Sequence, residues 1–238
     1  MIDLHFHALP GLDDGPATLE ESVALCRKAA AEGTTRVVAT PHVLREPWLN
    51  EDPAARAEAL ARLNAALGGE PEVLPGCELM FSLDLLELVE AGSAGPVTAL
   101  NGGRALLLEF APGFVPREAA ALLRELSISG WTPVVAHPER NLVFQQDPRR
   151  LYALLEKGAL AQLTAASLLG EAGRSALALA EDLMDAGAAH LVASDAHNLT
   201  GRPPRLAAAR EAVRRRWGAE VETRLSETNP AKLLEAAP

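Results

Sequence analysis

At 238 residues, with 48% hydrophobic content and near-average charge, the chain fits one sizeable globular domain spanning residues 1–238. The net charge of −10 argues against nucleic acid or anionic membrane as the main partner, because polyphosphate surfaces attract clustered Lys and Arg. Cys26 and Cys77 lie outside any CxxC, no basic segment followed by an apolar stretch opens the chain, and no apolar run reaches membrane length, so a cytoplasmic protein without disulfides or membrane insertion is expected.

Seven β-type runs follow in chain order: Ile2 to His5, Arg36 to Thr40, Glu72 to Cys77, Ala105 to Glu109, Thr132 to His137, Leu160 to Thr164 and His190 to Ser194. Between them lie segments of helical period. In the first, Thr18 and Glu21 make a capping box, Leu19, Val23, Cys26 and Ala30 form an apolar stripe, and Gly33 stops the helix. Further helices are predicted over Ala54 to Leu67, Asp84 to Glu90, Arg117 to Leu126, Pro148 to Lys157, Ser175 to Ala186 and Arg205 to Trp217. Val97 to Leu100, Asn101-Gly102-Gly103 and the run into Glu109 read as a local hairpin. Alternating β and α elements imply a parallel sheet, hence an α/β fold.

The polar residues choose between an open sheet and a barrel. Five of the six histidines and four carboxylates stand at or just beyond strand C-termini: His5 and His7, Asp14, His42, Glu78, Glu109, His137, Asp195 and His197. An open sheet gathers ligands at one switch point, whereas a closed barrel brings many strand ends around one pocket, so a distorted seven-stranded barrel is predicted. His5 and His7, two apart, share a strand face, and Asp195 and His197 repeat that spacing on the last strand, its neighbour in a barrel. Imidazole and carboxylate without thiolate suit Mn²⁺, Fe²⁺ or Zn²⁺ in a reactive rather than structural site. Three divalent cations against the charges of Asp14, Glu78, Glu109 and Asp195 would leave the pocket at +2, attractive to a phosphorylated group on an otherwise acidic protein. Cys77 and Phe6, next to ligands in sequence, should face away and pack; an exposed loop position is expected for Asp13, a structural role for His190, and Trp48 is the one tryptophan placed to touch a substrate.

These motifs resemble those of the polymerase-and-histidinol-phosphatase superfamily, and within it the CpsB/YwqE-type bacterial protein-tyrosine phosphatases, over nearly the whole chain. The likeness is carried, in order, by His5-Phe6-His7 with Leu9-Pro10-Gly11-Leu12-Asp13-Asp14-Gly15, by Ala39-Thr40-Pro41-His42, by His137-Pro138-Glu139-Arg140-Asn141, by Ser194-Asp195-Ala196-His197-Asn198 with Gly201-Arg202-Pro203-Pro204, and by Thr228-Asn229-Pro230. The resemblance implies a three-metal centre, with manganese expected and iron or zinc compatible. One ion would take His5, His7, Glu78 and Asp195, a second Glu78, Glu109 and His137, a third Asp14, His42 and His197. It implies phosphate binding by Arg140 and Arg202, whose planar forks match phosphate oxygens, and assigns Asp195 and His197 to the catalytic set with them. A water between two cations loses its proton near neutral pH and attacks phosphorus in line, with no covalent enzyme intermediate.

The implied activity is hydrolysis of phosphotyrosine, whose phenol leaves readily with a pKa of about 10. The implied partner is a phosphotyrosyl protein, a membrane-associated bacterial tyrosine kinase of surface polysaccharide production, and the chain is expected as a monomer or small oligomer. Histidinol-phosphate phosphatase, with the same metals and another leaving group, is the alternative within the superfamily. A non-catalytic metal-binding regulatory domain is the alternative of another class, and a missing ligand would favour it; none is missing. A cysteine phosphatase is excluded, because the sixth residue after Cys26 is Glu32 and after Cys77 is Leu83, where that chemistry needs Arg. Amidohydrolase barrels commonly place a bridging lysine where this chain has Glu78 and Glu109.

Overall fold

The structure is a computed structural model that describes residues 1–92 and 95–235. Among these, the strands are β1 (Ile2–Phe6), β2 (Arg36–Ala39), β3 (His42–Val43), β4 (Glu72–Pro75), β5 (Glu78–Met80), β6 (Ala105–Glu109), β7 (Thr132–Ala136), β8 (Leu160–Thr164) and β9 (Leu191–Ala193). They form two sheets ordered β1-β2-β4 and β3-β5-β6-β7-β8-β9, with parallel pairing throughout. All seven predicted runs contain a strand, but the second and third stop early, at Ala39 and Pro75, and β3 and β5, which follow them, lie outside the predicted runs. Pro41 has no N–H to give a ladder and follows the end of β2; its carbonyl accepts from the Glu78 amide (3.0 Å). Gly76 and Cys77 separate β4 from β5. Val37 pairs with Val73 below these breaks and His42 with Glu78 above them, so the two sheets meet along the same pair of chain segments.

β1 and β9 are joined by single contacts. The Asp195 amide donates to His5 O (3.0 Å) and the His7 amide to Ala196 O (2.9 Å). In β1 the register slips between Asp3 and Phe6, and the buried Asp3 carboxylate accepts from the amides of His5 (3.4 Å) and Ser194 (3.0 Å).

Helices cover the outer faces: α1 (Leu19–Ala31), α2 (Pro53–Leu67), α3 (Leu85–Glu90), α4 (Ala119–Ile128), α5 (Leu142–Gln146), α6 (Pro148–Leu155), α7 (Ala165–Leu168), α8 (Arg174–Asp185), α9 (Leu206–Trp217), α10 (Ala219–Thr223) and α11 (Asn229–Glu235). The Thr18–Glu21 capping box opens α1, and Asp52 with Pro53 opens α2. The buried stripe of α1 runs through Ser22, Leu25, Cys26 and Ala29; of the predicted stripe only Cys26 is fully buried, while Leu19 and Val23 pack at its edge. Phe6, Val37 and Val73 meet α1 and α2 in one apolar cluster, and the helices outside β5 to β9 build a larger one. A third cluster joins Ile2, Leu4, Val38, Leu107, Val134 and Leu191, from strands of both sheets, with Leu234 of α11. Each fully buried leucine in these clusters contributes about 1.5–3 kcal/mol.

The expected hairpin before β6 does not form. β6 has parallel partners on both sides, β5 and β7, which leaves no edge for a returning strand. The backbone of Thr98 is satisfied by Cys77 instead, whose sulfur accepts from the Thr98 amide (3.3 Å) and donates to its carbonyl (3.2 Å). Asn101 and Gly102 do take positive φ, within a 3₁₀ turn over Leu100–Gly102. No described helix is long and apolar enough to cross a membrane.

Candidate metal centre

The predicted ligands gather at one end of the parallel strands, at or beyond the C-terminal ends of β1, β6, β7 and β9 and at the N-terminal ends of β3 and β5. His5 ends on β1 and His7 follows it; Asp14 lies on the loop to α1; His42 opens β3 and Glu78 opens β5; Glu109 closes β6; His137, Asp195 and His197 follow β7 and β9. His5 Nε2 and His7 Nε2 lie 3.2 Å apart. Glu78 Oε2 is 3.4 Å from both, and Asp195 Oδ1 is 3.2 Å and 3.5 Å from them, so the four residues converge on one spot. Asp14 Oδ1 sits 3.3 Å from His42 Nε2 and 3.2 Å from His197 Nε2, and the His7 and His197 rings stack with centroids 3.7 Å apart.

The middle set is shared differently from the expected triad of Glu78, Glu109 and His137. Glu109 groups with His42 and Glu78, its Oε2 lying 3.7 Å from His42 Nδ1. His137 Nε2 donates to Glu78 Oε1 (3.0 Å) and groups with His5 and Asp195. His42 therefore stands between two clusters, one with Asp14, His7 and His197 and one with the two glutamates.

The chain orients these rings from behind. His5 Nδ1–H donates to Gln162 Oε1 of β8 (2.8 Å), His7 Nδ1–H to Asp13 Oδ2 (2.7 Å) and His197 Nδ1–H to Asp195 O (2.9 Å). With the proton on Nδ1, each Nε2 lone pair faces the pocket. The expectation for Asp13 is thus overturned. Its side chain is 1% exposed, and besides holding His7 it accepts from the His42 amide (3.1 Å) and the Gly15 amide (2.9 Å). β8, which brings no ligand, serves the site through Gln162 and through Thr164, whose amide and hydroxyl both donate to buried Glu139 (2.9 Å each).

Local backbone chemistry sets the remaining positions. His137 and Asp195 have positive φ (32° and 55°), a costly conformation for these residues that turns each side chain off its strand into the pocket. Asn198 Oδ1 accepts from the amides of Thr200, Gly201 and Arg202, folding the loop so that Arg202 returns to the site. Arg202 then donates to Asp14 Oδ2 (2.9 Å) and Asp195 Oδ2 (3.2 Å), and Arg140 Nη1 donates to the same Asp195 oxygen (2.5 Å). Arg140 thus pairs with Asp195 rather than with its neighbour Glu139. A third arginine escaped the sequence reading: Arg45 Nε lies 2.9 Å from Glu109 Oε2, and its guanidinium covers Trp48. Its signal was its place three residues after His42. Trp48 stacks on the His42 ring (5.6 Å, 21°), at the pocket mouth. His190 is structural, its Nδ1 accepting from the Ala161 amide (3.1 Å).

Charge in the pocket is concentrated and opposed. Burial raises the cost of ionising Glu78, yet His5, His137 and His42 outweigh it and hold the carboxyl well below its usual range; His5, His7, His137 and Arg202 do the same for Asp195. Burial alone would make His7 and His42 weak bases, but Asp13 lifts His7 well above its ordinary value, and Asp14 with Glu78 lifts His42 to about 9. Burial and the neighbouring His7 bring His197 down to about 4. Glu109 is raised, by burial first and then by Glu78.

The donor set fits divalent cations. Buried His42 Nδ1 and Glu78 Oε2 approach to 2.9 Å, buried Glu109 Oε2 faces Arg45 Nε at 2.9 Å and buried His197 Nε2 faces Asp14 Oδ1 at 3.2 Å, none with hydrogen-bond geometry. Buried polar atoms without a well-formed hydrogen bond are costly unless something else satisfies them, and these are imidazole nitrogens and carboxylate oxygens.

Comparison with known proteins places this geometry in a family. The model for capsular polysaccharide synthesis proteins, CpsB/CapC, matches residues 1–235. The chain belongs to the CpsB/CapC family. It is 38% identical to the tyrosine-protein phosphatase YwqE of Bacillus subtilis, over 98% of this chain and 91% of that one. The putative tyrosine-protein phosphatase CapC of Staphylococcus aureus is 34% identical over 85% of this chain and 79% of its own. Among solved structures, one described as crystal structures of YwqE from Bacillus subtilis and CpsB from Streptococcus pneumoniae, unique metal-dependent tyrosine phosphatases, superposes with a TM-score of 0.93 at 36% identity, covering 100% of this chain and 96% of that one. An organophosphorus hydrolase from Deinococcus radiodurans (TM-score 0.63, 16% identity, 98% and 92% coverage) has the same fold as this CpsB/CapC member.

Proposed function

We propose that this chain is a metal-dependent protein-tyrosine phosphatase. The observation that carries the reading is the convergence of nine imidazole and carboxylate side chains with Arg45, Arg140 and Arg202 at one end of the parallel strands, in a member of the CpsB/CapC family. His5, His7, Asp14, His42, Glu78, Glu109, His137, Asp195 and His197 would hold the cations; we infer three, with manganese as the working metal. Bound there, they would supply Lewis acidity and lower the pKa of water towards neutrality.

The chain's own groups do the rest. Arg140 uses one N–H on Asp195 and Arg202 two N–H groups on Asp14 and Asp195, so each guanidinium keeps donors for phosphoryl oxygens. Asp195 holds both forks at the pocket edge, and His197, held as a weak base by burial and His7, can keep its Nε2 lone pair near neutral pH. Trp48, stacked on His42 and covered by Arg45, would contact a phenyl ring through its edge. A phenolate leaving group, with a pKa of about 10, departs without a dedicated proton donor.

We further infer one domain in which the two sheets close into a distorted seven-position barrel. β2 with β3 and β4 with β5 each count as one position, and the Asp195–His5 and His7–Ala196 bonds form the seam. The family's link to capsular polysaccharide synthesis supports a phosphotyrosyl protein substrate, a membrane-associated tyrosine kinase, reached from the cytoplasm by a monomer or small oligomer. The test is phosphate release from a phosphotyrosyl peptide and from histidinol phosphate, side by side, by metal-stripped protein given Mn²⁺. Metal-dependent turnover preferring the peptide is expected. A preference for histidinol phosphate would overturn the substrate, and silence on both would overturn the phosphatase reading.

A further inference from the structure

Two cavities open off the metal centre and share Arg140 as a wall. One, of about 170 Å³, holds Glu109 and His137. The other, of about 260 Å³, is lined by Arg140, Arg202 and Arg205 with Asp195 and Glu171, and its remaining lining residues are Ala, Ser, Gly and Pro. Because Asp195 is a candidate ligand, this second recess begins at the centre itself. Three guanidinium groups face two carboxylates there, so the recess is locally positive on a chain whose net charge is −10.

Its two ends differ. At the inner end Arg140 and Arg202 are tied to Asp195 and Asp14. At the outer end Arg205, immediately before α9, meets Glu171, which the turn between α7 and α8 presents through the Glu171 amide donating to Ala166 O (2.8 Å). Arg205 Nη1 lies 3.5 Å from Glu171 Oε1, the side chains are 48% and 41% exposed, and Glu171 is the one carboxylate paired with Arg205 among the described residues. An exposed ion pair of that length is weak and readily exchanged.

Resting on the phosphatase reading, we propose that this recess binds an Asp or Glu side chain one or two positions from the phosphotyrosine, so that the protein selects acidic phosphotyrosyl segments. A carboxylate is the group that a guanidinium fork matches, and Glu171 already seats one on Arg205. The substrate's carboxylate would take the place of Glu171 there. With the phosphoryl group at Asp195, the flanking polypeptide runs past the exposed outer end of the recess, and at about 3.3–3.6 Å of chain per residue the neighbouring one or two side chains are the ones in reach. A small aryl phosphate carries no such group and is indifferent to Arg205. The net charge of the whole chain disfavours acidic peptides, so a preference for them requires a local cationic site of this kind.

The test compares three substrates on metal-replete protein: p-nitrophenyl phosphate, a phosphotyrosyl peptide flanked by Glu, and the same peptide flanked by Gln. The Glu peptide should be preferred by about tenfold in kcat/KM, mainly through KM, a scale between that of an exposed ion pair and that of a charge-assisted hydrogen bond. The preference should shrink as salt is raised, because exposed charges are screened. In Arg205→Gln it should fall to about twofold, and in Glu171→Gln, which removes the competing carboxylate, it should widen by about twofold to threefold. Turnover of p-nitrophenyl phosphate should stay as in the parent in both variants. Equal kcat/KM for the two peptides in the parent, with turnover intact, would overturn the acidic selection and leave the phosphatase reading standing. A preference that survives Arg205→Gln, or that narrows in Glu171→Gln, would overturn this recess as the place of recognition. Loss of p-nitrophenyl phosphate turnover in Arg205→Gln would also overturn it, by showing that Arg205 acts on the centre itself. Silence of the parent on all three substrates would instead bring down the phosphatase reading, and the proposal with it.

Discussion

At the scale of single residues, Asp13 illustrates how a site depends on groups that never touch a ligand. Its carboxylate fixes the His7 ring through Nδ1 and the His42 backbone through the amide. Asp13→Ala should weaken Mn²⁺ binding by about 10–100-fold, the cost typical of removing a partner that orients a ligating histidine. Calorimetric titration checks this, and unchanged affinity would mean that packing alone holds His7. His190 offers a contrast far from the pocket. Burial, helped by Arg224, lowers its pKa, and its Nδ1 must stay unprotonated to accept from Ala161. A histidine with a depressed folded pKa contributes stability that is present above its ordinary value near 6.5 and is lost as pH falls below it. Melting temperature should therefore drop between pH 7.5 and 5.5, and His190→Asn, which keeps an acceptor that does not titrate, should flatten that drop.

At the scale of elements, the breaks in the second and third strands matter most. Gly76 lies where an added Cβ would come within 2.6 Å of Val38 Cγ1 and 3.3 Å of Ala39 O, between β2 and the start of β5. Gly76→Ala should cost about 1–3 kcal/mol by overpacking, read as a lower denaturant midpoint, and should displace Glu78, two residues on. The strands themselves were legible because each is a short apolar run bounded by turn residues. β3 and β5 were not, since at two and three residues they show no period and lie just past the predicted runs that end at Thr40 and Cys77. The short helices α5 and α7 were missed because a single turn carries too few residues to show a period. The hairpin was read from Asn101-Gly102, a local signal, whereas strand pairing is decided by whether a sheet has a free edge.

At the scale of the whole molecule, the nine candidate ligands span residues 5 to 197 and are gathered only by the completed fold. A cation binding the native chain but not the unfolded one should raise stability by about 2.7 kcal/mol at a hundred times its dissociation constant. Thermal unfolding with Mn²⁺ and with a chelator checks this: the midpoint should rise with metal, and His7→Ala should lose much of the rise. The ligands were visible in the sequence because β1, β7 and β9 each place them next to recognisable loop motifs. What could not be read was their division. Which imidazole meets which carboxylate depends on loop conformations, such as the positive φ at His137 and Asp195, that one-dimensional spacing does not encode.

The bonds from Asp195 to His5 and from His7 to Ala196 have a consequence for how the protein is made. They join the first strand to the last across nearly two hundred residues, so the earliest ligands to leave the ribosome wait for the latest. Loop closure of that length is slow compared with local helix formation, and a nascent chain carries His5 and His7 without Asp195 and His197 for most of its synthesis. Any product that terminates before Asp195 therefore lacks one wall of the centre.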